Sequence, residues 1–300
     1  MPASTFSETL KCATAEAVLE CLNPLAPTWG RDFSAWIFRG HARAEWKLLP
    51  SSQRSASVWD QYDWPGGDSA WNGIDHWSRD YIEEHELDLV RRVCRSLDRA
   101  GLPIPGGESV KNGFSTSGQR WPSPVLIPLL GLMRHLGLPT RLLDWTTRAK
   151  VAAYFAAAEA ARCSDGELAI WAVNRDFLAA RGRKGARGVT LELATAPMST
   201  NPFMHAQAGL FTVARGDIVV GERFAELDEV VEWLAEGRGQ DWEGARLMKV
   251  IAPCSVAPKL LRLLALEHVS GGNMFPGFAG IAKELEEHRL WDHAMPQREW

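Results

Sequence analysis

Apolar residues along the chain follow two periodicities, and together they predict a mixture of helices and strands. Apolar side chains recur every three or four positions, as on one face of a helix, in residues 5–22, 84–97, 129–136, 148–161, 257–266 and 278–288. Short apolar runs that end at glycine, proline or polar residues predict strands at 36–40, 167–173, 189–193, 210–213 and 247–252. Helices and strands do not alternate regularly, so we predict an α+β fold with a mostly antiparallel sheet flanked by helices.

The same patterns divide the chain into three parts. Residues 1–30 are predicted to be an N-terminal helical extension, and residues 291–300 a tail. The main domain spans 31–290 and contains two segments without a regular period. One is a tryptophan-rich insertion at 55–80, and the other is a loop at 101–124 that is rich in glycine, proline and serine.

Charged residues stand inside an otherwise apolar stretch in the middle of the chain. A helix is predicted to end at Gly137, and Arg141 and Asp144 follow it among leucines and a tryptophan. Buried charges need partners. One interpretation is an internal ion pair that fixes the turn, and the other is that Arg141 or Asp144 faces a pocket together with His135.

Arg39 lies at the end of the predicted strand 36–40, just before a glycine turn. Its guanidinium either donates hydrogen bonds to loop carbonyls or forms an anion-binding fork for phosphate or carboxylate. The sequence alone leaves both interpretations open.

Composition narrows the class of protein. The 300 residues include 33 basic and 37 acidic ones, so no global positive field attracts nucleic acid. The five cysteines are scattered without Cys-x-x-Cys spacing, which predicts neither a metal site nor a disulfide framework. No apolar run approaches eighteen residues, so we expect a cytoplasmic protein that does not enter a membrane.

Several motifs are missing and two others leave alternatives open. No dinucleotide-binding or P-loop glycine pattern occurs, and neither Gly-x-Ser-x-Gly nor His-Glu-x-x-His is present. The basic loop at 181–188 is either a solvated turn or a phosphate or nucleic-acid contact. The Ser-Thr-Ser run at 115–117 falls in a predicted loop, and we interpret it as a coincidental match to a transferase motif.

The central stretch resembles the signature of the FRG domain family, in which Gly-x-Pro-Thr-Arg-Leu-Leu-Asp-Trp-Thr precedes a helix of small residues. Residues 134–156 carry this pattern, and the Phe-Arg-Gly motif of the family stands at 38–40. Further similar segments lie at 49–54, 207–211 and 274–280. The resemblance covers most of the chain. Two departures are Arg134, where Gln is common, and Phe203, where an Arg is usual.

The order of these motifs also resembles that of ADP-ribosyltransferases. The Phe-Arg-Gly strand would be the first element, residues 140–147 with the following helix the second, and Gln207 the third. This resemblance implies an ADP-ribosyltransferase-like fold, with NAD as the substrate and a protein or nucleic acid as the acceptor. The resemblance to the FRG family also fits a role as a toxin or phage-defence effector.

The resemblance also implies roles for particular residues. The expected catalytic residues are Arg39, Asp144 and Gln207. The expected NAD-binding residues are Arg39, His135, Thr140, Arg141, Tyr154 and Phe155. A glutamine orients an acceptor but is not a general base, so Asp144, Glu192 and Glu267 are the candidates to supply the missing carboxylate. The alternative function is a non-catalytic module that binds a nucleotide or nucleic acid.

Overall fold

The computed structural model describes residues 7–30, 32–55, 58–59, 62, 79–114, 121–180, 188–196, 201–216, 218–236 and 246–293. Most of the tryptophan-rich insertion, the Ser-Thr-Ser run at 115–117 and all but the last residue of the basic loop at 181–188 lie outside these ranges. None of the helices in the described part is both long and apolar enough to span a bilayer.

A seven-stranded mixed sheet is the centre of the described structure. The strands of the described structure are β1 (Ser7–Lys11), β2 (Trp36–His41), β3 (Leu143–Thr146), β4 (Glu167–Asn174), β5 (Thr190–Ala194), β6 (Gly209–Arg215), β7 (Val219–Val220), β8 (Arg223–Phe224) and β9 (Leu247–Pro253). The order in the sheet is β1-β9-β4-β2-β3-β6-β5, with β1 parallel to β9 and the other neighbours antiparallel, and β7 pairs with β8 separately. This confirms the predicted α+β class.

Helices cover both faces of this sheet. Those described are α1 (Ala15–Cys21), α2 (Arg79–Arg99), α3 (Ile127–His135), α4 (Ala149–Ala160), α5 (Arg175–Ala180), α6 (Pro202–Gln207), α7 (Leu227–Glu236), α8 (Ala257–Leu266), α9 (Gly271–Met274) and α10 (Phe278–His293). Successive side chains of β2 therefore enter different cores: Ile37 packs in the core that includes α2, α3, α5 and α7, and Phe38 in the core that includes α1, α4 and α8.

The N-terminal segment differs from the prediction. The apolar pattern at 5–22 predicts one helix, whereas residues 7–11 form β1 and only Ala15–Cys21 is helical. Each residue of β1 pairs with one of β9, more than two hundred positions away. This pairing is a tertiary contact that local periodicity does not encode, and it makes the N-terminal segment part of the sheet.

Several other segments contain helices that were not predicted, among them α5, α7, α9 and the two that follow. The loop at 101–124 includes a 3-10 helix at Gly107–Phe114. The stretch before β6 includes α6, whose first turn is capped by the Asn201 side chain on the Met204 N–H. Both helices are short, so few apolar positions mark them.

Gly40 sets the distance between β2 and α4. A Cβ atom at this position would lie 2.0 Å from the backbone oxygen of Ala152 and 2.6 Å from the nitrogen of Ala156. Only a glycine allows the helix to approach so closely, and the alanines of α4 complete the contact. The close packing fixes the position of the α4 side chains next to the end of β2.

Candidate functional site

A large cleft lies where β2 and β3 separate. The two strands share one paired position, Phe38 with Thr146, and diverge beyond it. The resulting cleft has a volume of about 850 Å³ and is lined by residues of β2, β3, β6, α3, α4 and α6, by the segment 42–54 that follows β2, and by Phe275. Polar groups at the ends of both strands therefore face a common space.

Arg39 extends from β2 towards β3 in this cleft. Its Nη1 donates to the backbone oxygen of Asp144 at 2.8 Å and lies 3.4 Å from the Asp144 Oδ2 atom. Its Nε donates to the His41 Nε2 atom at 3.0 Å. Burial is the main cause that lowers the pKa of Arg39 to about 10, an effect that Asp144 opposes. The guanidinium remains charged at neutral pH.

Asp144 is shared between two guanidinium groups. Arg134, in the last turn of α3, donates from Nε to Asp144 Oδ2 at 2.7 Å, so this carboxylate contacts Arg134 and Arg39 together. Arg54 also lines the cleft, and burial followed by repulsion from Arg134 lowers its pKa. Two arginines thus contact this carboxylate, and a third lies in the same cleft.

His41 is a neutral base in the wall of the cleft. Burial, with repulsion from Arg39 as the second cause, lowers the pKa of His41 to about 3. Because its Nε2 accepts the hydrogen bond from Arg39, the proton of the neutral ring resides on Nδ1. His41 therefore orients Arg39 without adding charge at neutral pH.

Aromatic side chains form other walls of the cleft. The rings of His135 and Phe203 stack with their centroids 4.0 Å apart, and the rings of Phe155 and Phe275 meet edge to face at 6.0 Å. Trp46, whose surface is 46 % exposed, lines the cleft beside His41. Such surfaces suit planar ligand groups.

Gln207 reaches the cleft from the end of α6. Its Nε2 donates to the backbone oxygen of Met274 at 3.2 Å, and its own backbone oxygen accepts from Thr146 Oγ1 at 2.7 Å. Ala208, which follows it in the left-handed conformation at φ 46°, ends the helix. The structure therefore brings the third predicted motif next to the first two.

Of the eight predicted site residues, the structure brings five to the cleft: Arg39, His135, Asp144, Phe155 and Gln207. Thr140, Arg141 and Tyr154 are not among the cleft-lining residues. Arg141 is buried against α2, where its Nε bonds Glu86 and its Nη1 lies 3.4 Å from Glu83.

Thr140 and Tyr154 have other neighbours. Thr140 is fully buried, and its backbone bonds to Ser51 and Ser52. The hydroxyl of Tyr154 donates to Glu287 at 2.5 Å on the opposite face of the sheet from α2. For Arg141 and Tyr154, a buried carboxylate from a distant part of the chain determines where the side chain lies.

The cleft carboxylates differ from those expected. Glu192 pairs with Arg215, Glu267 pairs with Lys150, and neither lines the cleft. Glu159 does line it, on the same helix as Phe155 and four residues further along. Helical spacing from Phe155 is the sequence signal that would have identified Glu159.

Sequence reasoning also missed some of the basic residues of the cleft. Arg134 was noted only as a departure from the family pattern, and Arg54 and Lys47 were not singled out, although all three line the cleft. In the described ranges, no group of three or more His, Cys, Asp or Glu side chains is arranged to hold a metal ion.

The fold and the cleft together define an α+β protein with a large arginine-lined cleft at a fork between two strands. Comparison with models of known families matches the FRG domain at residues 34–165, so the chain carries an FRG domain over that range and the resemblance is confirmed there. The matched range contains Arg39, Arg134 and Asp144, whereas Gln207 lies beyond it. Comparisons with curated proteins and with solved structures gave no match.

Proposed function

We propose that the cleft binds NAD and that the protein transfers ADP-ribose from NAD to an acceptor, with a fold related to that of ADP-ribosyltransferases. The observation that carries the proposal is that Arg39 meets Arg134 and Asp144 in one cleft, although Arg39 and Asp144 are 105 positions apart in the sequence. Its volume of about 850 Å³ suits a ligand of dinucleotide size. Guanidinium groups suit the phosphates, and Phe155 with Phe275 offers a wall for the nicotinamide.

The proposed reaction breaks the bond between the nicotinamide nitrogen and ribose C1′. The bonding electron pair goes to the nitrogen, whose positive charge is neutralised, and positive charge develops on the ribose as in glycoside cleavage. A nucleophilic atom of the acceptor then forms a bond to C1′ and gives up its proton to a base. A carboxylate near the ribose stabilises the developing charge and orients the acceptor.

Glu159 is the cleft carboxylate that best fits this role. Asp144 already contacts two arginines, and Gln207 has no carboxylate. The side chain of Glu159 makes no hydrogen bond or ion pair with another described residue, and it is exposed to the cleft. We therefore assign the acceptor-orienting role to Glu159, and phosphate or ribose binding to Arg39.

A second candidate function is nucleotide binding without catalysis. It is favoured by the contacts of two of the three residues expected to be catalytic. Asp144 is paired with arginines, and the amide of Gln207 is bonded to the Met274 backbone. A protein that only binds the nucleotide would use the same arginines and the same aromatic wall.

One experiment separates the two functions. Purified protein is incubated with NAD labelled in its adenylate half, with protein, DNA or RNA as acceptor, and both nicotinamide release and label transfer are measured. We expect turnover in the wild type and in the control Arg162→Gln, whose side chain forms an exposed pair with Glu286. Glu159→Gln should bind NAD and lose turnover, and Arg39→Gln should lose both. Saturable NAD binding without nicotinamide release for any acceptor would establish the binding module instead.

The FRG resemblance supports a biological role as a toxin or phage-defence effector that modifies nucleic acid or protein. Such a role predicts that expression of the wild-type chain arrests growth of a bacterial host. Glu159→Gln, expressed at the same level, should not arrest growth. If the wild type and Glu159→Gln arrest growth equally, the toxicity does not depend on the proposed transfer of ADP-ribose.

A further inference from the structure

We infer that Arg39, Arg54 and Arg134 form a pyrophosphate-binding site in which the Asp144 carboxylate is a resident counter-ion that the pyrophosphate displaces. The choice of a nucleotide as the source of the pyrophosphate rests on the function proposed above. The site itself rests on the geometry of the four side chains.

The charges around Asp144 do not balance. Two guanidinium groups contact its Oδ2 atom, at 2.7 Å for Arg134 and 3.4 Å for Arg39, and Arg54 lines the same cleft. At Asp144 two positive charges therefore meet one negative charge, and Arg54, which Glu159 also attracts, adds a third positive charge to the cleft. Repulsion among the arginines is visible in the lowered pKa of both Arg39 and Arg54, although burial is the larger cause for each. An anion with more than one negative charge would relieve this repulsion.

Asp144 is placed so that a ligand can replace it. Its side chain is 40 % exposed, whereas the side chains of Arg39 and Arg134 are 11 % and 21 % exposed. The carboxylate therefore lies at the open side of the arginines. A pyrophosphate offers more acceptor oxygens than one carboxylate and matches the planar fork of a guanidinium.

Arg39 has contacts that would persist after displacement. It donates to the backbone oxygen of Asp144 at 2.8 Å and to His41 Nε2 at 3.0 Å, and neither contact involves the Asp144 carboxylate. The guanidinium is thus held in position by groups that do not leave when the carboxylate moves. Such preorganisation favours ligand binding because little side-chain freedom is lost.

Arg134 is a distinguishing feature of this chain. The FRG motif that the chain resembles commonly has Gln at this position, and a glutamine would hydrogen bond Asp144 without adding charge. The substitution Arg134→Gln is therefore a mild way to remove one positive charge from the site.

The test measures inorganic pyrophosphate binding to the full chain by calorimetry at fixed salt, with thermal unfolding as the check on folding. Arg54→Gln and Arg134→Gln should each weaken binding by about tenfold or more, since each removes a charge-assisted contact. Asp144→Asn should strengthen it by about tenfold, since it removes the competing anion; Asp144→Ala serves if Asp144→Asn does not fold. Arg162→Gln, a matched loss of one exposed arginine outside the cleft, should leave affinity unchanged.

Ligand comparison identifies the source of the phosphates. ADP-ribose should follow the same variant pattern as pyrophosphate, and adenosine, which lacks phosphate, should be insensitive to Arg134→Gln. A single-stranded RNA that follows the pattern while ADP-ribose does not would overturn the assignment to a free nucleotide.

Failure of this inference is distinct from failure of the proposed function. No pyrophosphate binding, unchanged or weaker binding in Asp144→Asn, or equal affinity in Arg134→Gln and Arg162→Gln would each overturn it, even if NAD is cleaved. If the variant pattern holds and NAD is not cleaved, the pyrophosphate site stands and only the transferase function fails.

Discussion

Arg141 and Asp144 are three residues apart, yet their side chains have entirely different surroundings. The Arg141 side chain is 5 % exposed and pairs with Glu86 of α2, whereas Asp144 is 40 % exposed and pairs with Arg39 and Arg134 in the cleft. The sequence offered two interpretations of this charged segment, an internal ion pair or a pocket. Both are present, one at each residue.

Removal of Arg141 should destabilise the fold. Glu86 also accepts from Ser52 Oγ and Trp121 Nε1, but Arg141→Met leaves its buried carboxylate without a counter-charge. We expect a loss of about 3–5 kcal/mol in the free energy of unfolding, measured by urea denaturation. The double variant with Glu86→Gln should recover part of the loss. A loss no larger than that of Arg162→Gln would contradict a structural role for the pair.

Gly40→Ala should separate α4 from β2. The new methyl group would meet the backbone oxygen of Ala152, which cannot move without its helix. We expect a loss of about 3 kcal/mol in unfolding free energy. The affinity for NAD should also fall, because α4 carries Phe155 and Glu159, which line the cleft. Gly137→Ala is the control: its φ of 82° makes an alanine strained by about 1–2 kcal/mol, but no atom stands within 4 Å of the new Cβ.

Acidification should destabilise the protein through His41. The pKa of His41 is lowered to about 3 in the folded state, chiefly by burial, and is near 6.5 when unfolded. The unfolded state therefore binds a proton that the folded state does not, so this contribution to stability is complete above pH 6.5 and is lost as the pH falls towards 3. Between pH 7 and pH 5 the loss in the free energy of unfolding from His41 amounts to about 2 kcal/mol.

The variant His41→Gln checks this prediction. Its side-chain oxygen can still accept from Arg39 Nε, while the titrating ring is gone. Urea unfolding at pH 7 and pH 5 should show a smaller difference for His41→Gln than for the wild type. His205→Gln, which removes an exposed histidine, should keep the wild-type difference. An unchanged difference in His41→Gln would show that other groups cause the acid sensitivity.

The neighbours Tyr154 and Phe155 should respond to mutation in opposite ways. Tyr154→Phe removes the hydrogen bond to the buried Glu287 carboxylate and should cost about 1–3 kcal/mol in unfolding free energy, with NAD affinity unchanged. Phe155→Ala removes part of the cleft wall and should weaken NAD binding by about tenfold. Calorimetry and urea denaturation of both variants measure the two effects. Weaker NAD binding in Tyr154→Phe would contradict its placement outside the cleft.

Local sequence was sufficient for the elements nearest the site. The strand that carries Arg39, the helix end at Gly137 and the alanine-rich helix α4 were all predicted, because each has a strong period or a clear stop signal. The FRG resemblance likewise depended on a contiguous motif, and it is confirmed at residues 34–165. These are properties of short segments, which the sequence expresses directly.

The sequence by itself determined the α+β class and most of the helices and strands, and it singled out Arg39 and Asp144, which both line the cleft. Only the tertiary structure decided that β1 joins β9, that Arg141 and Tyr154 pair with Glu86 and Glu287, and that Arg54, Arg134 and Glu159 reach the cleft. The physical reason is that a buried charge or an edge strand is satisfied by whichever partner the packing brings near. That partner is separated in sequence by tens to hundreds of residues, and no local period records it.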